Sequence, residues 1–121
     1  MVISRGGFSF LLIMVLFVMI AGCRFTEFAE YDFLPAALKH LNKGVRLQKG
    51  NMFEEAIEEY TLAIQIDTGL TEAYLGRAGA FSALGEFEEA IPDFTRVIDI
   101  DPERFDAYYG RGIANTEIGN F

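Results

Sequence analysis

The chain reads as an all-α protein, a solenoid of helix-turn-helix repeats about two and a half units long. Two observations predict this. The sequence matches itself at an offset of 34 residues, and within each repeat apolar residues recur at helical spacing on either side of one turn signal. Residues 37–70 match 71–104 at Leu41/Leu75, Phe53/Phe87, Glu54/Glu88, Glu55/Glu89, Ala56/Ala90, Ile57/Ile91, Thr61/Thr95, Ile64/Ile98, Ile66/Ile100 and Asp67/Asp101. Residues 71–87 then match 105–121 at Ala73/Ala107, Tyr74/Tyr108, Gly76/Gly110, Arg77/Arg111, Ala80/Ala114, Gly85/Gly119 and Phe87/Phe121. The third copy covers only its first helix.

Composition bounds the rest. The 121 residues hold one small domain plus whatever the ends contribute. Ten Lys and Arg against 18 Asp and Glu give a formal charge of −8, and the basic residues are scattered, so nucleic-acid binding has little electrostatic support. Much of the apolar fraction sits in the first 22 residues.

Residues 1–22 place Arg5 ahead of an apolar run from Phe8 to Ala21, broken only by Ser9, then small residues before a cysteine, as in a secretory signal peptide. That run of 14 residues is shorter than the about 20 a spanning helix needs, which leaves an uncleaved membrane anchor as the alternative. The stretch Ile20-Ala21-Gly22-Cys23 resembles the lipobox of bacterial lipoproteins. The resemblance implies cleavage after Gly22 and lipid on Cys23, hence a membrane-anchored lipoprotein of the bacterial envelope. Two or more acyl chains anchor stably where one does not. Arg24 follows the cysteine where an Asp would imply retention at the inner membrane, so the resemblance favours the outer membrane. A lone cysteine makes no intramolecular disulfide. Residues 23–36 form a spacer whose Phe25, Phe28, Tyr31 and Phe33 are too aromatic for a disordered linker, so part of it should pack on the first helix.

The repeats are expected at 37–70, 71–104 and 105–121. In the second, Tyr74, Ala78 and Phe81 form one helical stripe and Ala90, Ile91, Phe94, Val97 and Ile98 another. Gly85 supplies the left-handed residue between them, with Asn51 or Gly50 in that role in the first copy. Asp101-Pro102 closes the unit. Helices this short must bury each other, and Gly44, Ala78 and Gly112, with Ala56 and Ala90, are expected to let the axes approach. Pro92 removes one backbone donor early in a helix and predicts a local bend.

The pattern Ala73-Tyr74, Ala78, Phe81, Gly85, Phe87, Ala90, Phe94, Asp101-Pro102 resembles the tetratricopeptide repeat over residues 37–121. Lys43, Arg77 and Arg111 stand where that family often has Leu, Thr68 replaces the closing Pro, and Asn115 replaces the aromatic matched by Phe81. The resemblance implies that the first helices line a concave groove. The residues facing it would be Leu41, Val45 and Gln48, then Leu75, Gly79 and Ser82, then Tyr109, Ile113 and Thr116. These positions lack the Lys and Asn pairs with which some members clamp an acidic peptide terminus. The expected partner is another protein or peptide, presenting an apolar helix or extended segment. The alternative is that these side chains meet the spacer or a further repeat.

The remaining candidates read as structure. Glu54, Glu55, Glu58 and Glu59, echoed by Glu86, Glu88, Glu89 and Asp93, read as a solvated helix face rather than a cation site. His40, the sole histidine, takes the place of Tyr74 and Tyr108 and reads as a packing residue. Lys43, Arg77 and Arg111 recur at the repeat spacing, either as anchors for an acidic partner or, the preferred reading, as partners of carboxylates such as Asp67 and Asp101. No catalytic constellation, metal-ligand set or cofactor motif is recognised. The expected function is a membrane-anchored interaction scaffold. The alternatives are a structural or regulatory subunit on an uncleaved anchor, or a fragment of a longer repeat protein. Self-association through the last helix is also expected, since solenoid ends usually need a polar cap.

Overall fold

The computed structural model describes residues 35–120, which form five helices and no strand. The signal segment, Cys23 and the spacer up to residue 34 lie outside the described residues. Helix α1 covers residues 35–49. It is followed by α2 (Phe53–Ile66), α3 (Thr71–Ala83), α4 (Phe87–Ile100) and α5 (Phe105–Glu117). Pro35 and Ala36, read above as spacer, belong to the first turn of α1, where a proline's missing N–H serves no helical bond. From α2 onward each helix packs on the next, and α3 also touches α5. No described helix is long and apolar enough to cross a membrane.

The turns repeat as faithfully as the helices. Asn51, Gly85 and Gly119 have φ of 60°, 77° and 76°, so Asn51 rather than Gly50 supplies the left-handed residue in the first unit. The residue after each returns its N–H to a carbonyl five positions back: Met52 to Leu47, Glu86 to Phe81 and Asn120 to Asn115. These bonds end each first helix and aim the chain back along it. Between units, Asp67 Oδ1 accepts the Gly69 N–H at 2.9 Å and Asp101 Oδ1 the Glu103 N–H at 3.2 Å. Both aspartates thus serve loop backbone. Helix α4 runs unbroken through Pro92.

Small residues and a few aromatics build the core. Ala56, Ala63, Ala73, Ala78, Ala90 and Ala107 are fully buried around Tyr60, Tyr74, Phe94 and Val97. Each second helix drives one ring against a glycine. A Cβ added at Gly44 would stand 2.8 Å from Tyr60 Cε1, one at Gly76 2.5 Å from Tyr60 Cζ, and one at Gly110 2.4 Å from Phe94 Cζ. Gly44 is therefore a contact glycine as expected, and Gly76 and Gly110 are equally so. Gly112 is not: it is exposed, and an added Cβ would meet nothing within 4 Å. Its counterparts face the second helix of their own unit, and no described helix follows α5.

The two ends of the stack differ. Where α3 and α5 turn Ala73, Gly76 and Ala80, or Ala107, Gly110 and Ala114, toward the preceding helix, α1 carries Lys39, Asn42 and Arg46, all exposed. Charged and polar side chains suit a face turned to solvent.

Candidate functional site

The predicted groove residues divide between two depressions. Leu41, Val45 and Gln48 of α1 and Leu75 of α3 line one of about 580 Å³, together with Tyr60, Gly76, Asn42, Lys49 and Glu72. Tyr109, Ile113 and Thr116 of α5 line another of about 400 Å³, with Tyr108, Gly112 and Glu117. Gly79 sits beside the first, where an added Cβ would stand 3.2 Å from Gln48 Nε2, and Ser82 lines neither. Leu41 and Leu75 are half-buried and pack on the core, whereas Val45 is 37% exposed and Tyr109 73%. An apolar floor with small residues is present, but Asn42, Lys49 and Glu72 give the first depression a polar rim.

Helix packing also fixes the polar group on the floor. The Tyr60 ring lies against Gly44 and Gly76, and its hydroxyl donates to Gln48 Oε1 at 2.7 Å. Burial raises the Tyr60 phenol above its usual range, so it stays protonated as a donor. Gln48 is thereby oriented from below. With its carbonyl oxygen engaged by Tyr60, its amide nitrogen is a donor on the floor, inside the polar rim of Asn42, Lys49 and Glu72.

The basic ladder has partners other than those expected. Arg77 Nε and Nη2 donate to Asp93 Oδ2 and Oδ1, both at 2.8 Å, and Nη1 donates to Thr61 Oγ1 at 3.0 Å. Lys43 Nζ donates to Glu59 Oε1 at 2.5 Å, and His40 Nδ1 lies 2.6 Å from Glu59 Oε2. Asp67 and Asp101 hold loop backbone instead. Glu59 and Asp93, 8% and 5% exposed, are therefore buried ion-pair acceptors and not part of a solvated acidic face. His40 is a hydrogen-bond partner of Glu59, not simply a packing residue. The His40 and Lys43 hydrogen bonds hold the Glu59 carboxyl below its ordinary range against the opposing effect of burial. The Asp93 pair raises the Arg77 guanidinium further above its already high range. No buried side-chain polar atom is left without a partner among the described residues.

At the third rung, Arg111 has no carboxylate partner among the described residues. It donates to Thr95 Oγ1 at 3.3 Å and lies 5.6 Å from the Tyr108 ring centroid. Between units, Arg104 bridges Glu72 at 2.6 Å and Asp106 at 2.9 Å on the surface, where such pairs contribute little. No three His, Cys, Asp or Glu side chains among the described residues form a group that could hold a metal ion.

The family described as TPR repeat matches residues 79–119. No curated protein sequence matches the chain. Among solved structures, the TPR domain of OM64 from Arabidopsis superposes with a TM-score of 0.69 at 31% identity, covering 71% of each chain. The second TPR of Spaghetti (RPAP3), bound to the HSP90 peptide SRMEEVD, gives a TM-score of 0.68 at 32% identity over 69% of this chain and 78% of that one. The TPR2B domain of yeast Sti1, in complex with an Hsp70 peptide, gives 0.66 at 26% identity over 69% and 66%. The period, the paired antiparallel helices and these likenesses agree: the chain belongs to the tetratricopeptide repeat family.

Proposed function

We propose that this chain is a protein-recognition scaffold that takes an apolar side chain of a partner segment into the depression between α1 and α3. The observation that carries the reading is the convergence of Leu41, Val45, Gln48 and Leu75 on one depression of about 580 Å³. The Spaghetti and Sti1 relatives hold peptides, which supports the same class of ligand here. Apolar contact supplies affinity, and the oriented Gln48 amide positions the partner's backbone carbonyls. No residue is assigned a catalytic role. The test is crosslinking capture of the partner from native envelope with the parent chain and with Val45→Glu, a partly exposed position whose change spares the core. The captured partner should be lost with an unchanged helical circular-dichroism signal. Capture that survives Val45→Glu but collapses in high salt overturns the apolar reading in favour of a charged surface.

The anchoring reading belongs to the same proposal. Cys23 carries lipid and holds the repeats at a bacterial membrane, the outer one favoured, on the strength of Ile20-Ala21-Gly22-Cys23 after the apolar run. Cys23→Ser should abolish incorporation of labelled palmitate, and undiminished labelling rejects it. Retention of residues 1–22 on the membrane-bound protein, by mass spectrometry of its amino terminus, would establish the uncleaved anchor instead.

A further inference from the structure

Helix α1 differs in charge from the helices that follow it. Its charged side chains are Lys39, Lys43, Arg46 and Lys49, with no acid among residues 35–49, whereas residues 50–121 hold four basic side chains against fifteen acidic ones. Lys43 is engaged by Glu59. The other three form a row with Asn42: residues 39, 42, 46 and 49 recur at i, i+3, i+7 and i+10, span about 15 Å along one side of the helix, and are all exposed. Among the described residues the three cations of the row enter no ion pair, although exposed carboxylates crowd α2 and α4 at Glu54, Glu55, Glu58, Glu88 and Glu89. Free cations and free carboxylates are thus carried on different helices.

We propose that the row on α1 docks on the anionic phospholipid headgroups of the membrane that holds the chain, a proposal that rests on the anchoring reading above. Charge complementarity is the first argument. An anionic surface attracts Lys39, Arg46 and Lys49 within a Debye length and repels the carboxylates of α2 and α4, so one orientation of the repeats is favoured, with α1 toward the lipid. Chain continuity is the second. Only residues 24–34 separate Cys23 from α1. At no more than about 3.5 Å per residue they keep the start of α1 within about 40 Å of the anchored cysteine, so the row stays at high effective concentration beside the surface. Asn42 and Lys49 also belong to the rim of the depression. Docking therefore brings that rim to the headgroups, where a segment of a membrane-bound partner can enter it.

The test reconstitutes the full chain, with Cys23→Ser and a fluorophore on Asn42→Cys, in phosphatidylcholine vesicles with and without about 30% phosphatidylglycerol, a fraction of the headgroups carrying a nitroxide quencher. Quenching at residue 42 should be at least about twofold stronger in the anionic vesicles, and about 0.5 M salt should remove the difference. Lys39→Glu combined with Arg46→Glu should remove it as well. Both positions are exposed, so circular dichroism should show that this variant folds. The same fluorophore on Glu88→Cys of α4 should respond neither to lipid charge nor to the reversal. Equal quenching at residue 42 in the two kinds of vesicle, indifference to the reversal, or stronger quenching at residue 88 overturns the proposal and leaves a carboxylate-bearing protein as the partner of the row. In this background the apolar residues 1–22 serve as the hold on either vesicle, so the outcome does not depend on lipid at Cys23. The palmitate label tests that reading separately.

Discussion

Arg77 and Asp93 meet as a two-pronged ion pair, Nε to Oδ2 and Nη2 to Oδ1, across the interface between α3 and α4. The Asp93 side chain is 6% exposed and that of Arg77 20%. Removing one partner leaves a buried charge. Asp93→Ala should therefore cost about 3 to 5 kcal/mol of unfolding free energy, read from urea denaturation. The double change Arg77→Leu with Asp93→Leu should cost much less, because a buried pair replaced by apolar side chains is often near neutral. Equal losses in the single and double variants would show that the pair's charge is not what matters.

The glycine sockets give a prediction with opposite signs at equivalent-looking positions. Gly76→Ala and Gly110→Ala push a Cβ into rings that are almost fully buried, Tyr60 at 1% and Phe94 at 5% exposure, and should each destabilise by about 1 to 3 kcal/mol. Pairing Gly110→Ala with Phe94→Leu should recover part of the loss. In residues 1–121 Gly112→Ala meets nothing and should instead stabilise the helix by about 0.5 to 1 kcal/mol. Melting temperatures of the three alanine variants measure the contrast.

The fold was legible because a 34-residue period with one turn signal per unit leaves few alternatives. The ion-pair partners were harder, because Asp67 and Asp101 share that period with Glu59 and Asp93. What separates them is distance from the turn. In two antiparallel helices, residues equally far from the turn face each other, and Lys43 and Glu59 each lie eight positions from Asn51, as Arg77 and Asp93 do from Gly85. Asp67 lies sixteen positions from Asn51, at the far end of the unit. That count was available in the sequence. The rim of the depression was not, since Asn42, Lys49 and Glu72 come together there from two different repeats, which no periodicity encodes.

Glu59 ties stability to acid. Its folded carboxyl titrates below the ordinary range because His40 and Lys43 hold the ionised form. The resulting stabilisation is complete above the unfolded value of about 4.3 and is lost as pH falls through the folded one. Glu59→Gln should weaken the domain at pH 7, and the gap to the parent should narrow as the pH is lowered to about 3. Urea midpoints at both pH values decide it: a gap of constant size would mean that Glu59 contributes by shape alone.

The last prediction concerns local opening along the stack. Helix α4 buries Ala90, Asp93, Phe94 and Val97 between two neighbours, whereas α5 buries only Ala107 and Ala114. A helix without a large buried side chain lacks about 1.5 to 3 kcal/mol that burial of a ring such as Phe94 supplies. In dilute protein the amides of residues 105–117 should therefore exchange with solvent tens of times faster than those of residues 90–98, through opening of α5 alone. Hydrogen exchange read by mass spectrometry makes the comparison. Protection of α5 equal to that of α4 would show that its alanines and turn suffice to hold it.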